Sequence, residues 1–123
     1  MSARQQLGLS GEDQAACYLE TRGLIVLERN IHCRMGEIDL IATDRTSLIF
    51  IEVRLRYSSR YGGAASSVNH QKQQRLIRAA QFFLPQLCAR HFGGKMPPCR
   101  FDVITIDARR LHWIRHAFDH TTA

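Results

Sequence analysis

The sequence predicts one α/β domain with the element order α-β-β-β-α-β-β. Three observations carry that expectation. Apolar residues recur at helical spacing in two separate stretches, and short runs rich in Ile, Val and Leu lie between and after them. The length, 123 residues with 45% apolar content, suits a single core, since a domain of that size buries roughly two-thirds of its unfolded surface.

Taken in order, Ser10 followed by Glu12 and Asp13 reads as an N-cap with acids in the first turn, and Gly23 as the stop just past the end. That places a helix near 11–22. LIVLERNI (24–31), EIDLIA (37–42) and LIFIEVRL (48–55) are three strands, the last two joined around the turn from Thr43 to Ser47. Residues 57–67, YSSRYGGAASS, have the composition of an exposed loop, and Ser66 or Ser67 is positioned to cap a helix running to about Phe83. Pro85 is expected to interrupt that helix, leaving a short helical piece after it. Past the turn GGKMPP, RFDVITID (100–107) is a strand and LHWIR (111–115) another. Disorder is expected only at the extreme termini.

The charge is more informative in its distribution than in its total of +6. Residues 1–53 hold eight acids against five basic residues, whereas residues 54–123 hold twelve basic residues against three acids. Between Glu52 and Asp102 there is no acid at all, while Arg54, Arg56, Arg60, Lys72, Arg75 and Arg78 open that stretch. Fifteen of the seventeen basic residues are Arg, the side chain suited to bidentate phosphate contacts. A solvated basic face competes with this reading, but a run of one sign costs self-repulsion unless a polyanion is the partner. The expected partner is therefore nucleic acid or another polyphosphate. The start of the chain lacks an apolar signal segment, and no stretch approaches the roughly 18 apolar residues of a membrane span, so a cytoplasmic protein without membrane contact is expected. Cys17, Cys33, Cys88 and Cys99 contain no C-x-x-C pair. They read as reduced thiols in or near the core, with a zinc site from Cys33, Cys99 and a histidine as the lesser alternative.

Strand parity and register then bring acids together. Glu37 and Asp39 share a sheet face, as do Glu52 and Arg54. A hairpin with an even loop centred between Arg45 and Thr46 sets Asp39 opposite Glu52 and Glu37 opposite Arg54. Opposed carboxylates lie roughly 5 Å apart and repel by on the order of 3 kcal/mol at an effective dielectric near 20. A divalent cation such as Mg²⁺ or Mn²⁺ removes that cost; an ion-pair ladder in which Arg54 neutralises both acids is the competing arrangement. Glu12 stands on the core side of its helix, with Ala15, Ala16 and Leu19 at i+3, i+4 and i+7. On spacing alone it is equally a partner of the helix dipole.

The residues GEIDLIATD (36–44) and FIEVRLR (50–56) resemble the Asp, interval, Glu-x-Lys pattern of the PD-(D/E)xK nuclease superfamily. More widely, GEDQAACYLETRGLIVLERN, GEIDLIATD, LIFIEVR, the segment 64–80 and RFDVITID resemble the YraN-like family of small bacterial proteins, relatives of the archaeal Holliday-junction resolvases. The resemblance implies a restriction-endonuclease-like fold, a mixed central sheet flanked by helices. It further implies Asp39 and Glu52 as ligands of Mg²⁺ or Mn²⁺, with Glu12 completing the acidic set and the Val53 carbonyl beside them. Arg54 occupies the place of the motif lysine. A guanidinium stays protonated and cannot serve as a general base, though it can hold phosphate. Lys72, at the edge of the apolar stripe of its helix, can lean toward the sheet in its stead or serve as a plain phosphate contact.

Two functions follow as expectations: a metal-dependent endonuclease for branched or structured DNA, with Asp39, Glu52, Arg54 and Lys72 as its catalytic residues, or a nuclease-derived binding module that has lost turnover. In both, Arg54, Arg56, Arg60, Lys72, Arg75 and Arg78 hold nucleic acid, and a homodimer is expected by analogy with enzymes acting on symmetric junctions. Tyr57 and Tyr61, interleaved with Arg56 and Arg60, are either base-stacking residues or ordinary loop residues. The six histidines show no paired metal spacing, and Asp102 is expected to pair with Arg100 in a structural role.

Overall fold

A computed structural model describes residues 10–55, 68–108 and 110–119. Helix α1 (Gly11–Thr21) leads into strands β1 (Ile25–Cys33), β2 (Gly36–Thr43) and β3 (Leu48–Leu55), followed by helix α2 (His70–His91) and strands β4 (Cys99–Ile106) and β5 (Leu111–Phe118). The five strands form one mixed sheet in the order β1-β2-β3-β4-β5, antiparallel throughout except for the parallel pair β3–β4 that α2 bridges. The order α-β-β-β-α-β-β is the one the sequence predicts.

Each face of the sheet is covered by one helix. Ala15, Ala16 and Leu19 of α1 pack on Leu40, Ala42, Ile49, Ile51, Ile104 and Ile106. Leu76, Ile77, Ala80 and Leu87 of α2 pack on Ile38, Ile41, Leu48, Phe50, Phe101 and Val103. Burial on both faces explains why LIFIEV is almost continuously apolar: β3 is the central strand, and Leu48 to Glu52 are all buried. None of the described helices is long and apolar enough to cross a membrane.

Both helices start on side-chain caps. Ser10 Oγ accepts from the Asp13 amide at 3.1 Å. For α2 the cap is Asn69, whose Oδ1 accepts from the Lys72 amide at 2.9 Å. The expected caps Ser66 and Ser67 lie outside the described residues, as do Arg56, Tyr57, Arg60 and Tyr61. A second difference concerns Pro85, which does not end the helix: α2 continues to His91. Proline forfeits one helical hydrogen bond, and the burial of Leu87 and Cys88 one turn later holds the rest of the helix on the sheet.

A third difference shapes the site. Strict alternation fails midway along β1 and β2. Glu28 reaches α2, bonding Arg90 and His91, and Arg29 reaches Asp13 of α1, but Ile31 packs again with the α2 cluster. Across the ladder Leu40 packs with α1 while Ile38 packs with α2. The register runs from Arg29↔Leu40 to Ile31↔Ile38, and between them Asn30 adopts φ 52°, the left-handed conformation that Asn tolerates best among non-glycine residues. Both strands therefore turn over at the Asn30/Asp39 level.

Candidate functional site

The register of the β2–β3 hairpin is the one expected from an even loop: Thr43↔Leu48, Ala42↔Ile49, Ile41↔Phe50 and Leu40↔Ile51. There the pairing stops. At the next level Asp39 does not pair through its main chain; its Oδ2 accepts the Val53 amide at 2.8 Å. The carboxylate thus takes the place of a ladder carbonyl, where the two strands part. Because the strand has turned over, Asp39 also meets α1, where its carboxyl and that of Glu12 stand close enough to perturb each other.

Glu52 sits on the other side of the gap, only 4% exposed. Its Oε1 lies 3.1 Å from Lys72 Nζ and 3.9 Å from the Arg54 guanidinium. Lys72 comes from the first turn of α2, and the Asn69 cap on its own amide fixes where that turn begins. Gly36 sets the helix close to the hairpin: a Cβ there would stand 3.2 Å from the Arg75 carbonyl, one turn along from Lys72.

Electrostatics follows from this crowding. Burial, then the charge of Asp39, pushes the Glu52 carboxyl up to about 7, against the pull of Lys72 and Arg54. Burial also raises Glu12, with Asp39 and Glu37 adding repulsion and Arg29 opposing it. Asp39 is raised by burial and by Glu37, although the Val53 amide, Glu12 and Lys72 act the other way. At neutral pH a proton therefore lingers on Glu52, which an ordinary carboxylate would have shed.

The candidate residues divide clearly. Glu12, Asp39, Glu52, Arg54 and Lys72 come together, and Val53 joins them through its amide. Arg54 does not clasp both strand acids; its one ion pair among the described residues is the long contact to Glu52. Arg75 and Arg78 lie on the exposed face of α2, beyond Lys72. Among the described residues no group of three or more His, Cys, Asp and Glu side chains is spaced as ligands of one ion. Glu37, expected beside Asp39 but not among the site residues, and Arg29, not expected there at all, both act on the acids. The i−2 relation to Asp39 pointed to Glu37; the signal for Arg29 was hidden by the turnover of β1.

A second buried carboxylate lies on the α1 face of β4. Asp102, 1% exposed, accepts from Arg100 Nε at 3.0 Å, Trp113 Nε1 at 2.9 Å and the His116 amide at 2.9 Å. The expected pairing with Arg100 is present. The cysteines are free thiols.

A family model described as "Uncharacterised protein family UPF0102" matches residues 11–106, a stretch that includes Glu12, Asp39, Glu52 and Lys72. Similar proteins span almost the whole chain. The UPF0102 protein of Bordetella petrii is 50% identical over 117 residues, covering 95% of this chain and 72% of its own length. That of Herminiimonas arsenicoxydans is 49% identical over 119 residues, covering 96% and 90%. That of Alcanivorax borkumensis is 46% identical over 123 residues, covering 96% and 95%. The chain belongs to the UPF0102 family.

Proposed function

We propose that this protein is a metal-dependent endonuclease that acts on branched or otherwise structured DNA by phosphodiester hydrolysis. The observation that carries this reading is the meeting, at the point where β2 and β3 part, of three carboxyl groups from three elements with a lysine from a fourth: Lys72 Nζ stands 3.1 Å from Glu52 Oε1. A structural ion pair does not require two further carboxyls beside it; burial raises all three acids, and the charge of Asp39 raises Glu12 and Glu52 further. Such an arrangement is costly unless a cation joins it or function retains it.

The donor set fits a hard divalent cation in its chemistry. Asp39 and Glu52, with Glu12 and the Val53 carbonyl, are the oxygen donors that would hold Mg²⁺ or Mn²⁺. Such an ion, when bound, supplies a nucleophilic water at neutral pH and offsets charge on the scissile phosphate. The remaining work falls to the chain itself. The Val53 amide orients Asp39, Lys72 holds Glu52 and stands within reach of a phosphate, and Arg54 adds a permanent positive charge. Arg75 and Arg78 on the exposed face of α2 extend the positive surface along the phosphate backbone, and Arg56 and Arg60, next in sequence after β3, add to the positive charge of the chain there. A homodimer would present two such sites to a symmetric junction.

The test is cleavage of branched and single-stranded DNA in Mn²⁺ by the purified protein and by Asp39→Ala, Glu52→Ala and Lys72→Ala. Cleavage by the parent and its loss in all three variants is the expected result. Salt-dependent binding without cleavage by any form would replace this reading with a binding module, a role that the arginine in place of the strand lysine favours.

A further inference from the structure

On the face of the sheet that α1 covers, away from the acidic cluster, two arginines and two aromatic rings form one continuous stack. Tyr18 of α1 meets Trp113 of β5 edge to face, with ring centroids 6.3 Å apart. The Arg115 guanidinium lies over the Trp113 ring at 4.2 Å from its centroid, and the Arg22 guanidinium over Tyr18 at 5.1 Å. Both arginines are exposed, and both rings are half-buried. The stack is anchored from below: the indole Nε1 donates to the buried Asp102 carboxylate, which Arg100 also holds. That bond fixes the plane of Trp113, and with it the plane on which Arg115 rests.

We propose that this Arg115–Trp113–Tyr18–Arg22 stack is a binding site for an unpaired nucleic-acid strand, separate from the acidic cluster. A guanidinium held flat on a ring presents its outer face to a nucleobase and its edge N–H groups to phosphate. Every base has a π-face, so such a platform is indifferent to sequence and needs bases that are not already stacked in a duplex. Two arginines on rigid elements also meet a polyanion at low entropic cost. Tyr18 lies six residues beyond Glu12, about 9 Å along α1 and about 120° around it, so the stack is a separate place from the acidic cluster. The proposal rests on the nucleic-acid reading above for its class of partner, and on none of its cleavage chemistry.

Trp113 is the only tryptophan, so its fluorescence reports this site alone. The experiment titrates the protein with oligothymidylate in EDTA, following fluorescence and, in parallel, the anisotropy of labelled oligonucleotide. Quenching is expected, with affinity falling roughly ten- to a hundred-fold in Arg115→Ala and less in Arg22→Ala. Arg115→Lys should not rescue, because it restores charge without the plane, and Lys95→Ala, a charge removed elsewhere, should bind like the parent. Binding by anisotropy with unchanged fluorescence, full rescue by Arg115→Lys, or equal competition by polyglutamate would each overturn the proposal while leaving the nuclease reading intact. Quenching by a protein that cuts nothing in Mn²⁺ would have the opposite meaning. No binding of oligothymidylate would overturn it too, and would leave the Mn²⁺ cleavage test of the nuclease reading to stand on its own.

Discussion

Two carboxylates, Asp102 and Glu52, are buried to nearly the same degree, at 1% and 4% exposure, and are treated very differently by their surroundings. Asp102 receives an arginine, an indole N–H and a main-chain amide, all at hydrogen-bonding distance. Glu52 has one ammonium at 3.1 Å, a guanidinium at 3.9 Å and the repulsion of Asp39, and its carboxyl rises to about 7. A buried charge with its partners in place is a finished piece of architecture; a buried charge left in competition is one that folding alone does not account for. Depth of burial does not tell these apart. The partners do.

The sharpest way to break the contrast is Asp102→Ala. It leaves Arg100 without its main partner in a half-buried position, and the loss expected is about 3–5 kcal/mol in urea denaturation, with the m-value unchanged. Glu52→Gln should cost far less above neutral pH, because it removes a charge that its surroundings resist. Equal losses in the two variants would dissolve the distinction.

Dependence on pH sharpens it further. Glu52 binds its proton more tightly folded than unfolded, so its contribution is fully present below the ordinary glutamate value near 4.5 and disappears as pH rises through about 7. Across that window the protein should lose on the order of 3 kcal/mol. Glu52→Gln should flatten the profile, and an unchanged slope in that variant would assign the loss to other groups.

Somewhat smaller is the response to Mn²⁺. At a hundredfold excess over its dissociation constant the ion should add about 2.7 kcal/mol at pH 8, and much less at pH 5, where Glu52 holds its proton. Calorimetric melting of the parent, Glu52→Gln and Asp39→Asn would show the shift in the first and not in the others. Smallest is Glu28→Gln. Glu28 is held low by its bond to His91 and then by Arg90, but all three groups are partly exposed, so about 1 kcal/mol or less should be lost in the same urea experiment.

Much of this molecule is legible in its residues. The seven elements, their order and the LIFIEVRL strand follow from periodicity, and the hairpin register follows from the length of the Thr43–Ser47 turn. What is not legible has physical causes. Alternation assumes an unbroken pleat, and along β1 the register shift between Val26 and Glu28 and the left-handed Asn30 both break it, so the assumption that Asp39 shares a face with its i−2 neighbour misses its proximity to Glu12. Pro85 is read as a stop because propensity is local, whereas the burial that carries α2 past it is tertiary. Which of Arg54 and Lys72 lies nearer Glu52 depends on where α2 begins, and that is set by a cap, Asn69, three residues before the lysine. The stack on Trp113 joins residues nearly a hundred positions apart, beyond the reach of spacing rules.

The parallel pairing of β3 with β4 has a consequence in time. Glu52 lies beside Val103, a partner that leaves the ribosome some fifty residues later. Until that strand arrives, β3 has one open edge, the low-dielectric wall around the glutamate is missing, and the lysine of α2 has no fixed platform to lean from. Loop closure over such a separation is slow compared with forming the hairpin. A nascent chain therefore carries its acids as ordinary solvated carboxylates, and whatever chemistry they perform waits on synthesis of the segment that encloses them.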